Sequence, residues 1–396
     1  MENSANGTNI TPKLHIGFIS RSSPDDRRAF SGLCYKMAES LREIGEVEWI
    51  PLRLSLFGRL LRRAADFINW KSKRKLLITM SRTASKLMYK HIKKSQVRSS
   101  DIIVAFFAHN YYYVTPKKIS CPVIYFSDAT FPAMVDYYPE FTDLFGFNIR
   151  SGCAIERECM KRVSKAIFSS EWARQSAIHD LNAAYEKTHV VEFGANIDDK
   201  DITWDSTSPD IANRLHILFL GVNWKRKGGD IAVSATRYLN ENGIDAVIHI
   251  VGIENINKNI ASLSYVISHG FLDKNIPTQY KELVHIISQC HCLLLPTLNE
   301  CAGIAFAEAS AYGLPIFTHR TGGVPNYVYD GLNGYMLPIG ATGEDFGRKI
   351  RDCITSGKLI EMKRTARKLY EDKLNWGVWR EKVRTIIHEV MTQYDS

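Results

Sequence analysis

Short apolar segments alternate with amphipathic segments twice along the chain, and this alternation constrains the fold more than any other feature. The apolar segments with the length of buried strands include KLHIGFIS (13–20), CPVIYFSD (121–128), LHILFLG (215–221), DAVIHIVG (245–252) and HCLLLPT (291–297). Strands that alternate with helices predict parallel sheets with helices on both faces. We therefore predict an α/β chain of two Rossmann-like, doubly wound domains, with a cleft between the carboxyl ends of their strands.

Length and a polar interruption predict where the domains divide. The chain has 396 residues, more than one hydrophobic core usually holds. The segment DDKDITWDSTSPDIANR (198–214) is polar and rich in turn formers, and we interpret it as a linker. We assign residues 1–198 to an N-terminal domain, 199–375 to a C-terminal domain and 376–396 to a terminal helix.

Composition favours a water-soluble protein of a reducing compartment. Hydrophobic residues make up 45% of the chain and charged residues 23%, and no uninterrupted apolar run is long enough to span a bilayer. The polar N-terminus lacks the pattern of a signal peptide. The eight cysteines include no CxxC pair, so a disulfide framework or a zinc site is not expected. We predict a cytoplasmic location, with peripheral attachment at the inner face of the plasma membrane as an option.

Positive charge is concentrated in residues 53–98. This region contains fourteen Lys or Arg residues and a single acid, Asp66, with Leu, Phe, Ile, Trp and Met interleaved. A basic amphipathic stretch can lie on an anionic membrane surface, and it can equally be a solvated helical face with an ordinary core side. Nucleic acid is not an expected partner, because no nucleic-acid-binding motif accompanies the charge.

The segment GVNWKRKGGD (221–230) has the features of an anion site. Lys225, Arg226 and Lys227 lie between a predicted strand and a predicted helix, and Gly228 and Gly229 permit a close approach of the backbone. Cations beside a helix N-terminus bind phosphate or diphosphate, although a solvated basic turn is the alternative. The spacing is not that of a Walker loop.

Two glutamates in NECAGIAFAEASAYGLP (299–315) suggest a second part of the same site. Glu300 and Glu308 have seven residues between them, and Glu308 is predicted in the second turn of a helix that follows a strand. Eight residues of helix rise about 12 Å. Carboxylate pairs that hydrolyse one bond lie about 5–9.5 Å apart, so the spacing better suits an elongated ligand held at both ends. Each glutamate would accept hydrogen bonds from a diol, with a diphosphate between them.

The second half of the chain resembles the retaining, nucleotide-sugar-dependent glycosyltransferases of the GT-B fold, specifically family 4 with its glycosyl transferases group 1 domain. The matching segments are FLGVNWKRKGGD, HGFLDK, LLLPTLNECAGIAFAEASAYGLPIF and TGGVPNYVYDGLNGYML, from about residue 215 to 338. The first half matches more loosely, through FSGLCYKMAESL, FSDATF, SSEWARQSAI and VVEFGANID. The resemblance implies two Rossmann-like domains, of which 1–198 binds the acceptor and 199–375 binds a UDP- or GDP-linked sugar donor. It also implies that the helix 376–396 packs back on the N-terminal domain.

The resemblance also implies roles for individual residues. Glu300 would hold the donor sugar under the developing charge of the anomeric carbon, while Arg226 and Lys227 would neutralise the departing diphosphate. Glu308 would bind the ribose hydroxyls. The further donor-binding residues are Gly32, Asn223, Gly270, Phe271, Leu272, Cys301, Ala302, Gly303 and Ile304.

Four departures from the family pattern leave the donor and the acceptor-side roles open. Ala302 replaces a frequent Phe, Asn326 a frequent acid, and Val222 a frequent arginine, and the histidine common on the acceptor side has no obvious counterpart. Asp128 or His109 could take its place. The remaining acceptor-side candidates are Thr130 and Tyr137, with Tyr138 beside it, and the alternative for Asp128 is a helix N-cap.

The resulting prediction is a glycosyltransferase that needs no cofactor and no metal. The twelve histidines show no metal-binding spacing such as HExxH. The acceptor would be a saccharide or a lipid-linked molecule of cell-envelope polysaccharide or glycolipid synthesis. The alternatives are a nucleotide-sugar hydrolase or epimerase of the same fold, and a non-catalytic nucleotide-sugar-binding protein.

Overall fold

Within the residues that the structure describes, two six-stranded sheets organise the chain, one in each half. The computed structural model describes residues 13–109, 111–113, 115, 119–204 and 214–395. The strands are β1 (His15–Ser20), β2 (Glu46–Pro51), β3 (Ile102–Phe106), β4 (Val123–Ser127), β5 (Lys165–Phe168), β6 (Thr188–Val190), β7 (Leu215–Leu220), β8 (Ala246–Val251), β9 (Val266–Gly270), β10 (Cys292–Leu295), β11 (Ile316–His319) and β12 (Gly334–Leu337).

Both sheets are parallel and doubly wound. The strand orders are β2-β1-β3-β4-β5-β6 and β12-β11-β10-β7-β8-β9, with parallel pairing throughout. The direction of winding therefore reverses between β1 and β3 in the first sheet, and between β7 and β10 in the second. The predicted α/β class with two Rossmann-like sheets is confirmed.

Helices cover the faces of the two sheets. They are α1 (Leu33–Arg42), α2 (Leu56–Lys71), α3 (Arg82–Met88), α4 (Lys94–Arg98), α5 (Phe131–Met134), α6 (Gly146–Arg162), α7 (Glu171–Leu181), α8 (Gly229–Glu241), α9 (Lys258–Ala261), α10 (Pro277–Ser288), α11 (Ile304–Ala311), α12 (Gly343–Thr355), α13 (Lys358–Asp372) and α14 (Trp376–Asp395). In the described part of the chain, none of these helices combines the length and hydropathy needed to cross a bilayer.

The last helix, α14, returns to the first sheet. Trp379 is fully buried, and its ring centroid lies 5.6 Å from that of Phe126 on β4. The Trp376 indole N–H donates to the carbonyl of Ala195 at 3.0 Å, which fixes the start of the helix. The C-terminal end of the chain thus completes the core of the first sheet. The division of the chain at residues 198 and 375 stays a prediction.

Several element bounds differ from those that the sequence pattern predicts. The apolar run HVVEFGANID (189–198) predicts a strand, but the strand ends at Val190. The residues that follow reach the second half, where the Asp198 N–H donates to the Tyr280 hydroxyl at 2.9 Å. The segment CAIERECMKRVSKAI (153–167) predicts a helix from Cys153, but helix α6 already begins at Gly146. Residues 205–213 of the predicted linker lie outside the described residues.

Four histidines meet in the second sheet. His216 Nδ1 lies 2.9 Å from His249 Nε2, and His249 Nδ1 lies 3.0 Å from His269 Nε2. His291 Nδ1 accepts the backbone N–H of His216 at 2.8 Å. Burial and then the neighbouring imidazoles lower the pKa of His249 to about 4, and burial lowers that of His291 to about 4. The ladder is therefore built from neutral rings.

We expect this ladder to make the protein less stable in acid. A histidine with a lowered pKa binds its proton more weakly in the folded state, so stability falls as the pH drops from about 6.5 towards 4. For His249 alone, the loss of unfolding free energy between pH 7 and pH 4.5 should be on the order of 2 kcal/mol. Urea unfolding of His249→Gln across this range should give a flatter pH dependence than the wild type. The exposed His388→Gln is the matched control, and an equal slope in all three proteins would contradict the prediction.

Candidate functional site

The carboxyl ends of strands from both sheets line one cavity of about 320 Å³. Loops after β1, β3 and β4 contribute from the first half, and loops after β7, β8, β9 and β10 contribute from the second. Both points at which the winding reverses face this cavity, which is the usual ligand position in open α/β sheets. The lining residues are Arg27, Arg28, Phe30, Ser31, Leu33, Phe107, Asp128, Tyr138, Leu220, Gly221, Val222, Arg226, Lys227, Val251, Gly252, Phe271, Leu272, Lys274, Leu283, Glu300, Ala302, Ile304, Ala305 and Glu308.

Both glutamates of the 299–315 segment line the cavity, and each is paired with a lysine. Glu300 lies in the loop before α11 and forms a salt bridge with Lys227. Glu308 lies in the second turn of α11, is 3% exposed, and forms a salt bridge of 2.6 Å with Lys274. The pairs neutralise two carboxylates that would otherwise be buried without a partner.

The N-terminus of α11 lies between these two pairs along the chain. Gly303 is its N-cap residue, and no side chain caps the helix there. A Cβ at Gly303 would lie 2.5 Å from the ring of Phe306 and 2.7 Å from that of Tyr327, so a larger residue cannot fit. The free backbone N–H groups of a helix N-terminus attract anions.

The basic loop after β7 is held in place by one of its own side chains and by the loop after β10. Asn223 Oδ1 accepts the N–H of Arg226 at 3.0 Å, and the Arg226 guanidinium donates to the carbonyl of Asn299 at 2.8 Å. Gly228 has a φ of +74°, and a Cβ there would lie 2.2 Å from the Pro296 carbonyl. Burial and the adjacent guanidinium of Arg226 lower the pKa of Lys227, against the attraction of Glu300.

The loop after β1 adopts a strained conformation and reaches the second half. Phe30, Ser31 and Gly32 have φ values of 51°, 58° and 90°, a left-handed conformation that non-glycine residues rarely adopt. Gly32 is buried, and a Cβ there would lie 2.8 Å from the Arg27 carbonyl. The Arg28 guanidinium lies 3.4 Å from Asp273 of the second half. The loop therefore closes one side of the cavity and brings two cations, Arg27 and Arg28, to its lining.

Asp128 follows β4 and faces Glu300 from the first half. Burial, and second the charge of Glu300, raise the pKa of Asp128 to about 7. The N-cap of the following helix, α5, is Thr130, whose Oγ1 accepts the Ala133 N–H at 3.3 Å. The alternative of Asp128 as an N-cap is therefore wrong, and its carboxyl group is directed to the cavity.

The remaining acceptor-side candidates do not line the cavity. Thr130 is buried as a helix cap, and His109 is buried with Nδ1 3.7 Å from Glu156 Oε1, where burial lowers its pKa to about 3. Tyr137 acts one step away from the cavity, because its hydroxyl oxygen accepts the Glu300 N–H at 2.8 Å. It positions the loop that carries Glu300.

Of the predicted donor residues, five lie around the cavity without lining it. These are Gly32, Asn223, Gly270, Cys301 and Gly303, and they shape the loops that carry the lining residues. Burial raises the pKa of the Cys301 thiol far above its ordinary value, so this thiol is neutral. The other predicted residues, Glu300, Arg226, Lys227, Glu308, Phe271, Leu272, Ala302, Ile304 and Asp128, lie together in the lining.

Sequence reasoning missed several lining residues, of which Lys274 matters most because it neutralises Glu308. Its position four residues after Gly270, at the end of a strand, was the available signal. Arg27, Arg28, Phe30 and Phe107 were missed because only the folded chain brings the loops after β1 and β3 to the second half.

Two departures from the family pattern have visible consequences. Val222, where an arginine is frequent, lines the cavity and is 65% exposed, so it brings no charge to the anion site. Asn326, where an acid is frequent, donates to Glu192 at 3.0 Å and accepts the Glu171 N–H at 2.9 Å. An acid at position 326 would face Glu192, so the amide fits these surroundings.

Metal ligands are not grouped in the described residues. No three His, Cys, Asp or Glu side chains there are arranged to hold a metal ion. That the protein needs no metal stays a prediction.

Residues 204–370 match the family model described as "Glycosyl transferases group 1". The chain carries a glycosyl transferases group 1 domain. This match covers the second sheet, the basic loop, both glutamates and Lys274. It does not extend to the first sheet.

Similar proteins agree with this assignment. The GDP-mannose-dependent alpha-(1-6)-phosphatidylinositol monomannoside mannosyltransferase of Mycolicibacterium smegmatis is 30% identical over 28% of this chain and 31% of its own. A glycosyltransferase structure from Rickettsia africae has a TM-score of 0.63 at 14% identity and covers 96% of this chain and 99% of its own. The Anabaena protein Alr3699/HepE, in complex with UDP and glucose, has a TM-score of 0.60 at 16% identity, covering 95% of this chain and 100% of its own. At these identities the two structures establish a shared GT-B fold only.

The curated relatives match over part of their length. The aligned segments span between 31% and 63% of those proteins. Activity, substrates and partners are therefore considered below as proposals.

The Lys274–Glu308 pair yields a test of the site's electrostatics that needs no substrate. Lys274→Met should lower the free energy of unfolding by about 3 kcal/mol, because Glu308 keeps a buried charge without a partner. Glu308→Gln should lower the free energy of unfolding by a smaller amount. The double variant should lose less unfolding free energy than the two single variants lose in sum, and the difference, the coupling energy, should be about 1–3 kcal/mol.

Urea unfolding of the four proteins at pH 7.5 measures this cycle. The matched control is Arg320→Met, which breaks an ion pair with Asp330 that is about half exposed, and it should cost less than about 1 kcal/mol. Additive effects of the two substitutions would show that the buried pair does not act as a unit.

Proposed function

We propose that this protein is a retaining glycosyltransferase, which transfers a sugar from a UDP- or GDP-linked donor to an acceptor hydroxyl group. The observation that carries the proposal is the pair of lysine-neutralised glutamates in one cavity, one on either side of the α11 N-terminus in the chain, with Arg226 adjacent. This arrangement offers hydrogen-bond acceptors for two diols and positive charge for a diphosphate between them.

In the proposed complex the donor extends from Glu300 past the N-terminus of α11 to Glu308. Its ribose hydroxyls donate to Glu308, its sugar hydroxyls donate to Glu300, and its diphosphate faces Arg226, Lys227 and the N–H groups at the start of α11. Phe271 and Leu272 also line the cavity and offer apolar contact to the base. Asp128, Phe107 and Tyr138 come from the first half and form the acceptor side.

In the proposed transfer, negative charge develops next to cationic side chains of the protein. The bond between the anomeric carbon and the diphosphate oxygen breaks, and negative charge develops on the leaving diphosphate beside Arg226 and Lys227. The acceptor oxygen bonds to the same face of the anomeric carbon, and its proton passes to the leaving phosphate oxygen. Glu300 stabilises the positive charge that develops on the sugar, and no enzymic base is required.

A panel of nucleotide sugars would identify the donor. Each of UDP-glucose, UDP-galactose, UDP-N-acetylglucosamine and GDP-mannose is tested for thermal stabilisation and for slow release of nucleoside diphosphate without acceptor. A matching donor should raise the unfolding temperature as binding theory requires. Sugar release or epimerisation as the main activity would favour a hydrolase or epimerase, and binding without turnover with any acceptor would favour a non-catalytic protein.

Substitutions in the donor site should separate binding from catalysis. Glu308→Gln should weaken donor binding about 10- to 100-fold, because it removes hydrogen bonds to a charged acceptor. Lys227→Met should lower kcat about 100- to 1,000-fold, because it removes a cation that acts on the leaving group. Calorimetry and initial rates measure the two effects.

The matched control for Lys227 is Lys225→Met, two residues away on the same loop and exposed. It removes the same charge and should change either quantity less than about twofold, as expected for a solvated side chain. Unchanged donor binding and transfer in both site variants, with folding intact, would refute the proposal.

The raised pKa of Asp128 predicts a pH dependence on the acceptor side. If the ionised carboxylate accepts the hydrogen bond of the acceptor hydroxyl, kcat/KM for the acceptor should fall about tenfold per unit below pH 7. The pKa of about 7 sets the midpoint of this fall. Asp128→Asn should lower the plateau and abolish the acidic limb, while donor affinity stays unchanged. If the fall of kcat/KM below pH 7 persists in Asp128→Asn, a group other than Asp128 causes it.

A further inference from the structure

Helix α2 carries large apolar side chains on its solvent-facing side. Trp70 is 77% exposed, Leu56 72%, Leu60 60% and Phe67 57%. At 100° per residue these four project within about 80° of one another. Arg59, Arg63 and Lys71 project from the same side of the helix. We call these seven residues together the outer face of α2.

The opposite side of α2 is packed against the protein. Gly58 and Ala65 are buried, and a Cβ at Gly58 would lie 2.1 Å from the Met88 carbonyl of α3. Ser55 Oγ accepts the Gly58 N–H at 2.9 Å and donates to the Leu87 carbonyl at 2.8 Å. The small residues thus face inward together with Leu61, which packs against the core, and the helix is fixed with most of its large apolar residues outward. This inverts the usual pattern of a surface helix.

The charge around this face favours one kind of partner. Residues 53–98 contain fourteen cations and the single acid Asp66. The Lys71 ammonium lies 5.1 Å from the centroid of the Phe67 ring and 5.7 Å from that of Trp70, so cation and aromatic rings share one surface. A second copy of the chain would bring equal positive charge to a symmetric contact, which disfavours self-association. Exposed aromatic and aliphatic side chains among cations match the headgroup region of an anionic bilayer.

We propose that the outer face of α2 binds the surface of an anionic lipid bilayer, with Leu56, Leu60, Phe67 and Trp70 in the headgroup region. The 53–98 region as a whole does not share this character. The short helices α3 and α4 add one large exposed apolar residue, Leu87, and their other apolar side chains are covered. The structure therefore narrows the predicted membrane region to one helix face.

The segment that follows α2 connects this face to the acceptor side of the cavity. Lys75 donates through its backbone N–H to the Asp143 carbonyl at 2.8 Å and through Nζ to the Pro139 carbonyl at 2.5 Å. The same 136–145 segment carries Tyr138, which lines the cavity, and Tyr137, which holds the Glu300 backbone. The segment that follows α2 is therefore hydrogen-bonded to the segment that carries these two tyrosines. That the acceptor is lipid-linked rests on the proposed function, whereas bilayer binding does not.

Co-sedimentation of the full chain with vesicles tests the proposal. The wild type should bind vesicles of 70% phosphatidylcholine and 30% phosphatidylglycerol at least tenfold more tightly than vesicles of phosphatidylcholine alone, and 0.5 M NaCl should weaken this binding. Phe67→Ser with Trp70→Ser should reduce the affinity at least tenfold. Arg59→Gln with Arg63→Gln should reduce it about fivefold per cation removed, as expected for charges near such a surface.

The matched control is Leu332→Ser with Ile339→Ser, two exposed apolar residues of the second half, 57% and 54% exposed. This variant should bind the vesicles as the wild type does. Equal binding to both vesicle types, or unaltered binding by the Phe67→Ser/Trp70→Ser variant, would overturn the proposal. A wild-type dimer in light scattering that this variant converts to a monomer would instead assign the face to self-association.

Measurements of donor hydrolysis in solution test the glycosyltransferase proposal separately from the bilayer proposal. The α2 variants should keep wild-type rates of donor hydrolysis in solution, because none of the substituted residues lines the cavity. If the wild type lacks donor turnover with every nucleotide sugar but binds anionic vesicles, the glycosyltransferase proposal fails and the bilayer proposal stands.

Discussion

The common direction of the strands is the constraint on which the rest of this structure depends. Both sheets are parallel throughout, so the carboxyl ends of each sheet share an edge, and the loops that follow them converge. Each sheet also reverses its winding once, between β1 and β3 or between β7 and β10, and the loops diverge there to leave room. The cavity with Lys227, Glu300 and Asp128 lies where these two edges face each other. The fold thus determines the site's location before any side chain is considered.

Charge balance then determines what this cavity can hold. Glu300 and Glu308 are each matched by a lysine, Lys227 and Lys274, so the carboxylates remain tolerable in partly buried positions. Arg226 is held by the Asn299 carbonyl and presents its charge to the cavity. A ligand that brings both hydroxyl groups and negative charge would find partners for each. The same reasoning explains why Val222 matters, because the anion site depends more heavily on its remaining cations.

The sequence predicted one side of the site better than the other. Glu300, Glu308, Arg226 and Lys227 follow strand ends within a continuous pattern of the second half, so local order was enough to place them together. Lys274 was missed because its ion pair joins a loop to helix α11, at two positions that are 34 residues apart. Three of the residues predicted for an acceptor side, His109, Thr130 and Tyr137, follow strands as expected, but they face a neighbouring helix or loop. Which way a side chain faces after a strand depends on packing that a linear pattern does not contain.

The sequence by itself determined the α/β class, the repeated strand–helix alternation and the charged residues that the second half brings to the candidate site, because hydrophobic periodicity and strand-end motifs are local. Only the tertiary structure decided which cations meet which carboxylates, and that the strained loop at Phe30–Gly32 reaches the second half. It also decided which side of α2 faces solvent, because Gly58 permits the contact with the Met88 backbone that no larger residue would allow. These outcomes depend on contacts between distant segments, whose geometry exists only once both sheets have formed.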